Sequence, residues 1–153
     1  MIIWRLCAFP NATQAFDGEG SRLYGGRWNE KGTRLVYTSS TLSLAALECL
    51  VHVEPGLLNR PLFQFRIEIE DGMVETLTAV LPPNWREYPS PDATKQIGTR
   101  WAASKRALVL AVPSVIIPEE RNYLIDPLHP DFRTLAIDEG EPFSFDPRLW
   151  KPR

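Results

Sequence analysis

The sequence is poor in the residues that announce metal or redox chemistry. It has only two cysteines, Cys7 and Cys49, and two histidines, His52 and His129. Neither pair has metal-ligand spacing. Both cysteines lie in apolar runs, so they are expected to be reduced, buried thiols, which suits a cytoplasmic protein. Asp126, His129 and Asp131 do cluster in IDPLHPD, but the prolines around them argue for a rigid loop, and no metal is expected there. Positive charge is not in surplus either: 17 Lys and Arg stand against 19 Asp and Glu, a net charge of −2. That leaves no basic field for a nucleic-acid backbone, and direct nucleic-acid binding is not expected. Long apolar runs are missing as well. The opening MIIWRLCAFP is broken by Arg5 and ended by Pro10, so it reads as neither a signal peptide nor a membrane span.

What the chain does have is enough length for a real core, with 44% hydrophobic residues over 153 positions and no repeat or linker to divide it. It is read as a single domain over residues 1–153. Proline is plentiful, at 14, and most of it follows position 54, which predicts short strands and turns in the second half. Residues 2–8 read as a strand with Arg5 in its middle, a charge that must find a partner or face a cleft. Residues 10–26 read as a long loop and 34–38 as a short strand. A helix runs from about Leu42 to Val53, capped by Ser39, Ser40 or Thr41, with Leu44, Leu47, Leu50 and Val51 as its apolar set and Pro55-Gly56 as its stop.

The clearest strand is 62–70, LFQFRIEIE, where Phe63, Phe65, Ile67 and Ile69 alternate with Gln64, Arg66, Glu68 and Glu70. That is the pattern of a sheet with one wet face. A strand over 74–80, a helix over 92–105 with Asp92 as cap and Ile97, Trp101 and Ala102 inward, and a buried strand over 107–112 follow. Shorter strands are expected at 115–117, 122–126 and 133–137, and FSFDPRLW as a last edge strand. The fold class is α+β, a mixed, mainly antiparallel sheet with a few helices.

Three side chains between Arg22 and Glu54 carry a chemical pattern. Gly25-Gly26 lets the backbone bend and a ligand approach closely, and Arg27 follows at once with a guanidinium suited to phosphate oxygens. The competing reading is a plain turn with a surface arginine. Tyr37 is either a core tyrosine or a ring that stacks on a planar ligand. Glu48 interrupts an otherwise apolar helical run, LAALECLV. A carboxylate there must be paired or face a cavity. The competing readings are a structural pair with His52 at i+4 and a glutamate on the wet side of the helix. Ser114, after a Val-Pro strand end, lacks the glycines of a nucleophile elbow and alone reads as a turn residue.

Taken together, WRLCAF, YGGRWN, GTRLVYTSSTLSLAALECLVH, LVLAVPSVIIPEERNYLIDPLHPDF and FSFDPRLW resemble the RES domain family, named for an arginine, a glutamate and a serine. The resemblance implies an ADP-ribosyltransferase-like fold. It also implies a toxin of a type II toxin–antitoxin pair with an Xre-type antitoxin as partner, and consumption of NAD⁺ as substrate rather than as cofactor, with a protein as the acceptor in some members. Carried over, the family's arginines fall on Arg5 and Arg27, its tyrosine on Tyr37, its glutamate on Glu48 and its serine on Ser114, with Ser104 as a competing assignment; Asn122 matches the family's NYL. The roles this implies are Arg5 and Arg27 on the diphosphate, Tyr37 on the nicotinamide, Glu48 on the ribose and Ser114 orienting Glu48 or the ribose, with Asn122 also in the NAD⁺ pocket.

Overall fold

A computed structural model describes residues 1–52 and 60–150; the expected Pro55-Gly56 helix stop lies outside them. In chain order the elements are β1 (Ile2–Cys7), α1 (Ala12–Ala15), α2 (Glu19–Tyr24), β2 (Val36–Ser39), α3 (Leu42–His52), β3 (Leu62–Glu68), β4 (Val74–Thr76), α4 (Asp92–Ser104), β5 (Val109–Pro113), β6 (Arg121–Ile125) and β7 (Glu141–Phe143). The strands form one seven-stranded sheet in the order β4-β5-β6-β2-β1-β3-β7. Only the β4–β5 pair is parallel; the others are antiparallel. The expected α+β class, with its mixed and mainly antiparallel sheet, is what the chain adopts.

Strand pleating divides the core in two. On β3 the alternation works as expected: Phe65, Ile67 and Ile69 are buried and Arg66, Glu68 and Glu70 exposed. β1 pairs with it so that Ile3 lies beside Ile67 and Arg5 beside Phe65, which puts Ile3 and Arg5 on the same face. Ile3, Phe16, Phe65, Ile67, Val109 and Ile125 pack there. On the opposite face Trp28, Leu35, Leu110, Val112 and Leu124 pack under α4, through Trp101 and Ala102. Each fully buried Leu, Ile or Val contributes roughly 1.5–3 kcal/mol. Helix α3 lies against β1 and β2. Thr41 starts it, its hydroxyl accepting from the Leu44 N–H at 3.0 Å.

Several local expectations differ from the structure. The supposed loop at 10–26 holds two short helices. Asn11 caps the first, accepting from the N–H groups of Thr13 and Gln14, and Gly18 enters the second with φ 68°; both are too short to show a periodicity. Of the expected apolar set on α3, Leu44 is buried together with Ala45, while Leu47 and Val51 are exposed. Pro91, not Asp92, occupies the cap of α4. Residues 115–117 turn rather than extend. Pro130–Thr134 is a 3-10 turn capped by His129. The last edge strand is Glu141–Phe143, and Pro147–Trp150 is a helical turn. Among the described residues, no helix is long and apolar enough to cross a membrane.

Helix α4 touches the 26–29 turn through Gly98. A Cβ built there would stand 1.8 Å from the Trp28 carbonyl oxygen, and backbone on both sides leaves no side chain free to yield. Gly98→Ala should therefore cost about 1–3 kcal/mol or more by overpacking, read as a lowered urea midpoint. A wild-type midpoint would show that α4 does not clamp this turn.

Candidate active site

Helix α3 turns one acid toward the sheet. Leu44 and Ala45 are buried, and Glu48 lies four and three positions beyond them, hence on the same helical face. The carboxylate does not pair with His52, which is exposed. Glu48 Oε1 instead accepts from Asn122 Nδ2 at 2.6 Å and from Ser114 Oγ at 2.8 Å. Glu48 Oε2 has no protein donor among the described residues.

Both donors are themselves held. Ser114 Oγ accepts from the backbone N–H groups of Ile116 and Ile117, each at 3.1 Å. With its lone pairs taken and its one proton on Glu48, the hydroxyl is a fixed donor and not a free nucleophile. Asn122 sits in a row across the sheet, beside Val112 on one side and Ser39 on the other. Ser39 Oγ donates to Asn122 Oδ1 at 2.8 Å, which fixes the amide with its nitrogen toward Glu48. Ser39 is buried and was anticipated only as a possible helix cap; its seat opposite Asn122 comes from pairing across 83 positions of chain. Ser104, the competing serine, donates to the Trp101 carbonyl at 2.6 Å at the end of α4 and takes no part in this network.

The turn bearing Arg27 is built around Tyr37. The Tyr37 hydroxyl donates to Asn29 Oδ1 at 2.6 Å and accepts from the Trp28 N–H at 3.1 Å. Gly26 is required for this: a Cβ there would lie 2.5 Å from the hydroxyl. Asn29, fully buried, ties the turn down through its amide nitrogen, which lies 2.9–3.1 Å from the carbonyl oxygens of Ser21, Glu30 and Thr33. In the sequence, the one signal for Asn29 is its place right after Gly-Gly-Arg-Trp. Burial raises the Tyr37 phenol far above its usual range, with the Trp28 N–H and the charge of Arg27 opposing. Arg27 is half-buried. Burial lowers its guanidinium, and the charges of Glu48 and then Tyr37 push it back up, so Arg27 stands within electrostatic reach of both. Arg27 Nη1 donates to the carbonyls of Trp85 (2.7 Å) and Glu87 (2.9 Å).

Arg5 is not brought to this place. Trp4 pairs with Ser39, so Trp4 shares the Glu48 side of the sheet and Arg5, next along the strand, points to the other. There it lies over the Phe16 ring at 5.7 Å and donates to the Tyr37 carbonyl at 2.9 Å. Strand alternation turns it away from Arg27, so the structure does not bring together the two arginines expected to share the diphosphate. A cavity of about 470 Å³ opens on that other face, between Phe16, Arg34, Leu128, Phe132 and Ile137. It contains none of the residues around Glu48. Asp126, in the IDPLHPD cluster, pairs with Lys105 at 2.5 Å.

A family model described as RES domain matches residues 2–146. The protein "Toxin Res" of Yersinia enterocolitica is 40% identical over 151 residues, covering 97% of this chain and 99% of its own length. The "Prs ADP-ribosylating toxin" of a Sphingobium species is 36% identical, covering 95% of this chain and 94% of its own. Among solved structures, the M. tuberculosis MbcT–MbcA toxin–antitoxin complex contains a chain that superposes with a TM-score of 0.67 at 17% identity, over 94% of this chain and 84% of that one. At that identity the likeness concerns the fold.

The enclosed hydroxyl of the partly buried Tyr37 has a consequence in alkali. Its folded-state pKa is raised, so the neutral phenol stabilises the fold fully below the unfolded value of about 10 and less as pH climbs beyond it. Wild type should lose stability above about pH 10 more steeply than Tyr37→Phe. The difference in phenolate ultraviolet absorbance between the two should appear only as the protein unfolds. A Tyr37 absorbance step in the folded protein near its ordinary value would contradict the buried hydroxyl.

Proposed function

The chain belongs to the RES domain family, and from that premise we propose that it is the toxin of a toxin–antitoxin pair, degrading NAD⁺ by breaking the bond between nicotinamide and ribose. One observation carries the reading: a carboxylate on an apolar helix, with Oε1 saturated by Ser114 and Asn122 and Oε2 without a protein donor among the described residues. Relatives named as toxins over nearly the whole chain support it.

In this reading Arg27 binds the diphosphate with the N–H groups it does not spend on Trp85 and Glu87. Tyr37 lies under the nicotinamide. Its hydroxyl is already engaged, so its part is to position the ring rather than to move a proton. Glu48 Oε2 accepts the ribose hydroxyl and faces the positive charge that grows at C1′ as the bond to nitrogen breaks. The electron pair of that bond leaves with nicotinamide, which departs neutral and needs no general acid. Water or phosphate then supplies an oxygen to C1′, and water gives up its proton to solvent. Ser114 and Asn122 keep Glu48 at the angle the ribose requires, and no metal or cofactor enters the scheme.

The second reading changes only the acceptor. A relative at 36% identity is named an ADP-ribosylating toxin, and the same pocket with a protein side chain in place of water would make this chain a mono-ADP-ribosyltransferase. The solved neighbour is a toxin bound to its antitoxin. By analogy a cognate antitoxin, of the Xre type, is the proposed partner, and the cytoplasm is where toxin, antitoxin and NAD⁺ meet.

Purified protein should release nicotinamide from NAD⁺. Glu48→Gln should fold normally and lose about 10²–10³ in rate, some 3–4 kcal/mol of charge stabilisation. Wild-type turnover by folded Glu48→Gln would remove Glu48 from the reaction. With NAD⁺ labelled in its adenosine part, label in free ADP-ribose or its 1-phosphate marks degradation, whereas label retained on a protein band marks transfer.

A further inference from the structure

With Arg5 on the far face of the sheet, Arg27 is the one of the two expected diphosphate-binding arginines that remains on the Glu48 side, and a dinucleotide brings two phosphate charges. The segment from Pro82 to Glu87 offers another arginine. Arg27 Nη1 binds the carbonyls of Trp85 and Glu87, the residues on either side of Arg86. Trp85 rests against Trp28, ring centroids 6.4 Å apart. The backbone that carries Arg86 is thus fastened at the Arg27 end of the site. At the other end Arg86 Nε donates to the Val115 carbonyl at 3.1 Å, and Val115 follows Ser114, which holds Glu48. Arg86 therefore reaches from the Arg27 turn to the Ser114 turn. It is exposed, and its remaining N–H groups have no protein partner among the described residues.

We propose that Arg86 is the second diphosphate-binding residue of this site, taking with Arg27 the two phosphates of a dinucleotide. A guanidinium with Nε spent on a carbonyl still presents two terminal nitrogens, enough for one phosphate. The nearby carbonyls of Trp85, Glu87 and Val115 are already hydrogen-bonded to these two arginines, so each guanidinium is anchored by backbone, with no carboxylate bonded to either among the described residues. Two backbone-anchored cations with spare N–H groups complement the two charges of a diphosphate. Arg86 so becomes a residue that selects a diphosphate over an uncharged nucleoside. The assignment rests on the NAD⁺ reading of Glu48 and Arg27.

Arg86→Gln tests it by two routes. In NAD⁺ turnover its KM should rise about tenfold or more, the loss of one charge-assisted bond, while kcat stays within about threefold. In calorimetry, which needs no turnover, ADP-ribose should bind Arg86→Gln about tenfold more weakly than wild type, and the wild-type affinity should fall more steeply with added salt. Were Arg86 only a tie to Val115, its loss would loosen Ser114 and lower kcat, leaving KM and ADP-ribose affinity in place; that result overturns the proposal. Wild-type protein that neither consumes NAD⁺ nor binds ADP-ribose would overturn the NAD⁺ reading itself. Normal turnover by wild type with unchanged affinity in Arg86→Gln would overturn the assignment of Arg86 alone.

Discussion

The hydrogen bond from Asn122 Nδ2 to Glu48 Oε1 is the constraint on which the rest depends. A carboxylate on a helix face shared with Leu44 and Ala45 gives up water, and that cost must be met by donors with the right geometry. The sheet supplies them. Asn122 comes from β6, oriented by Ser39 of β2, and Ser114 comes from the end of β5, oriented by two backbone N–H groups. Helix α3 is therefore not merely packed on the sheet; it is registered to three strands through one oxygen atom. The other oxygen has no donor among the described residues, so in the proposed reaction the network positions a single carboxylate oxygen.

A second, independent device holds the cation. The turn at residues 26–29 is folded about the Tyr37 hydroxyl and Asn29, and closed from outside by Gly98 of α4. Its glycine is spatially necessary rather than merely flexible, since Gly26 marks where a phenol oxygen occupies the volume of a side chain. Arg27 then serves in two ways. It fastens the Trp85–Glu87 segment by two carbonyls, and the N–H groups it does not spend there are the ones proposed to meet a phosphate. The anionic and cationic halves of the site meet because Tyr37, Ser39 and Asn122 share one face of adjacent strands.

Parts of this were legible before any coordinates. The alternation over 62–70 predicted β3 and its buried face, because side-chain direction in a strand is local and has a period of two. The lone acid in an apolar helical run pointed to Glu48 by the same kind of argument, as the cost of burying a charge does not depend on knowing what lies opposite. Short elements such as α1, α2 and the turn at Pro130–Thr134 escaped notice because a single helical turn carries no measurable period. Arg5 was legible as a buried charge needing a partner, yet the partner is the Tyr37 carbonyl and the Phe16 ring.

The sequence by itself determined the family and the α+β class, and it singled out Arg27 and Glu48 as a cation and a carboxylate in unusual settings. Tertiary structure alone decided that Ser114 and not Ser104 meets that carboxylate, that Arg5 faces away from it, that Ser39 stands behind its Asn122 donor, that Asn29 holds the Tyr37 hydroxyl and that Arg86 ties to the Val115 carbonyl. The reason is distance along the chain. Propensity and periodicity act over a few residues, whereas Glu48 meets donors 66 and 74 positions away. Such contacts are set by strand order and register, which follow from the packing of the two cores as a whole.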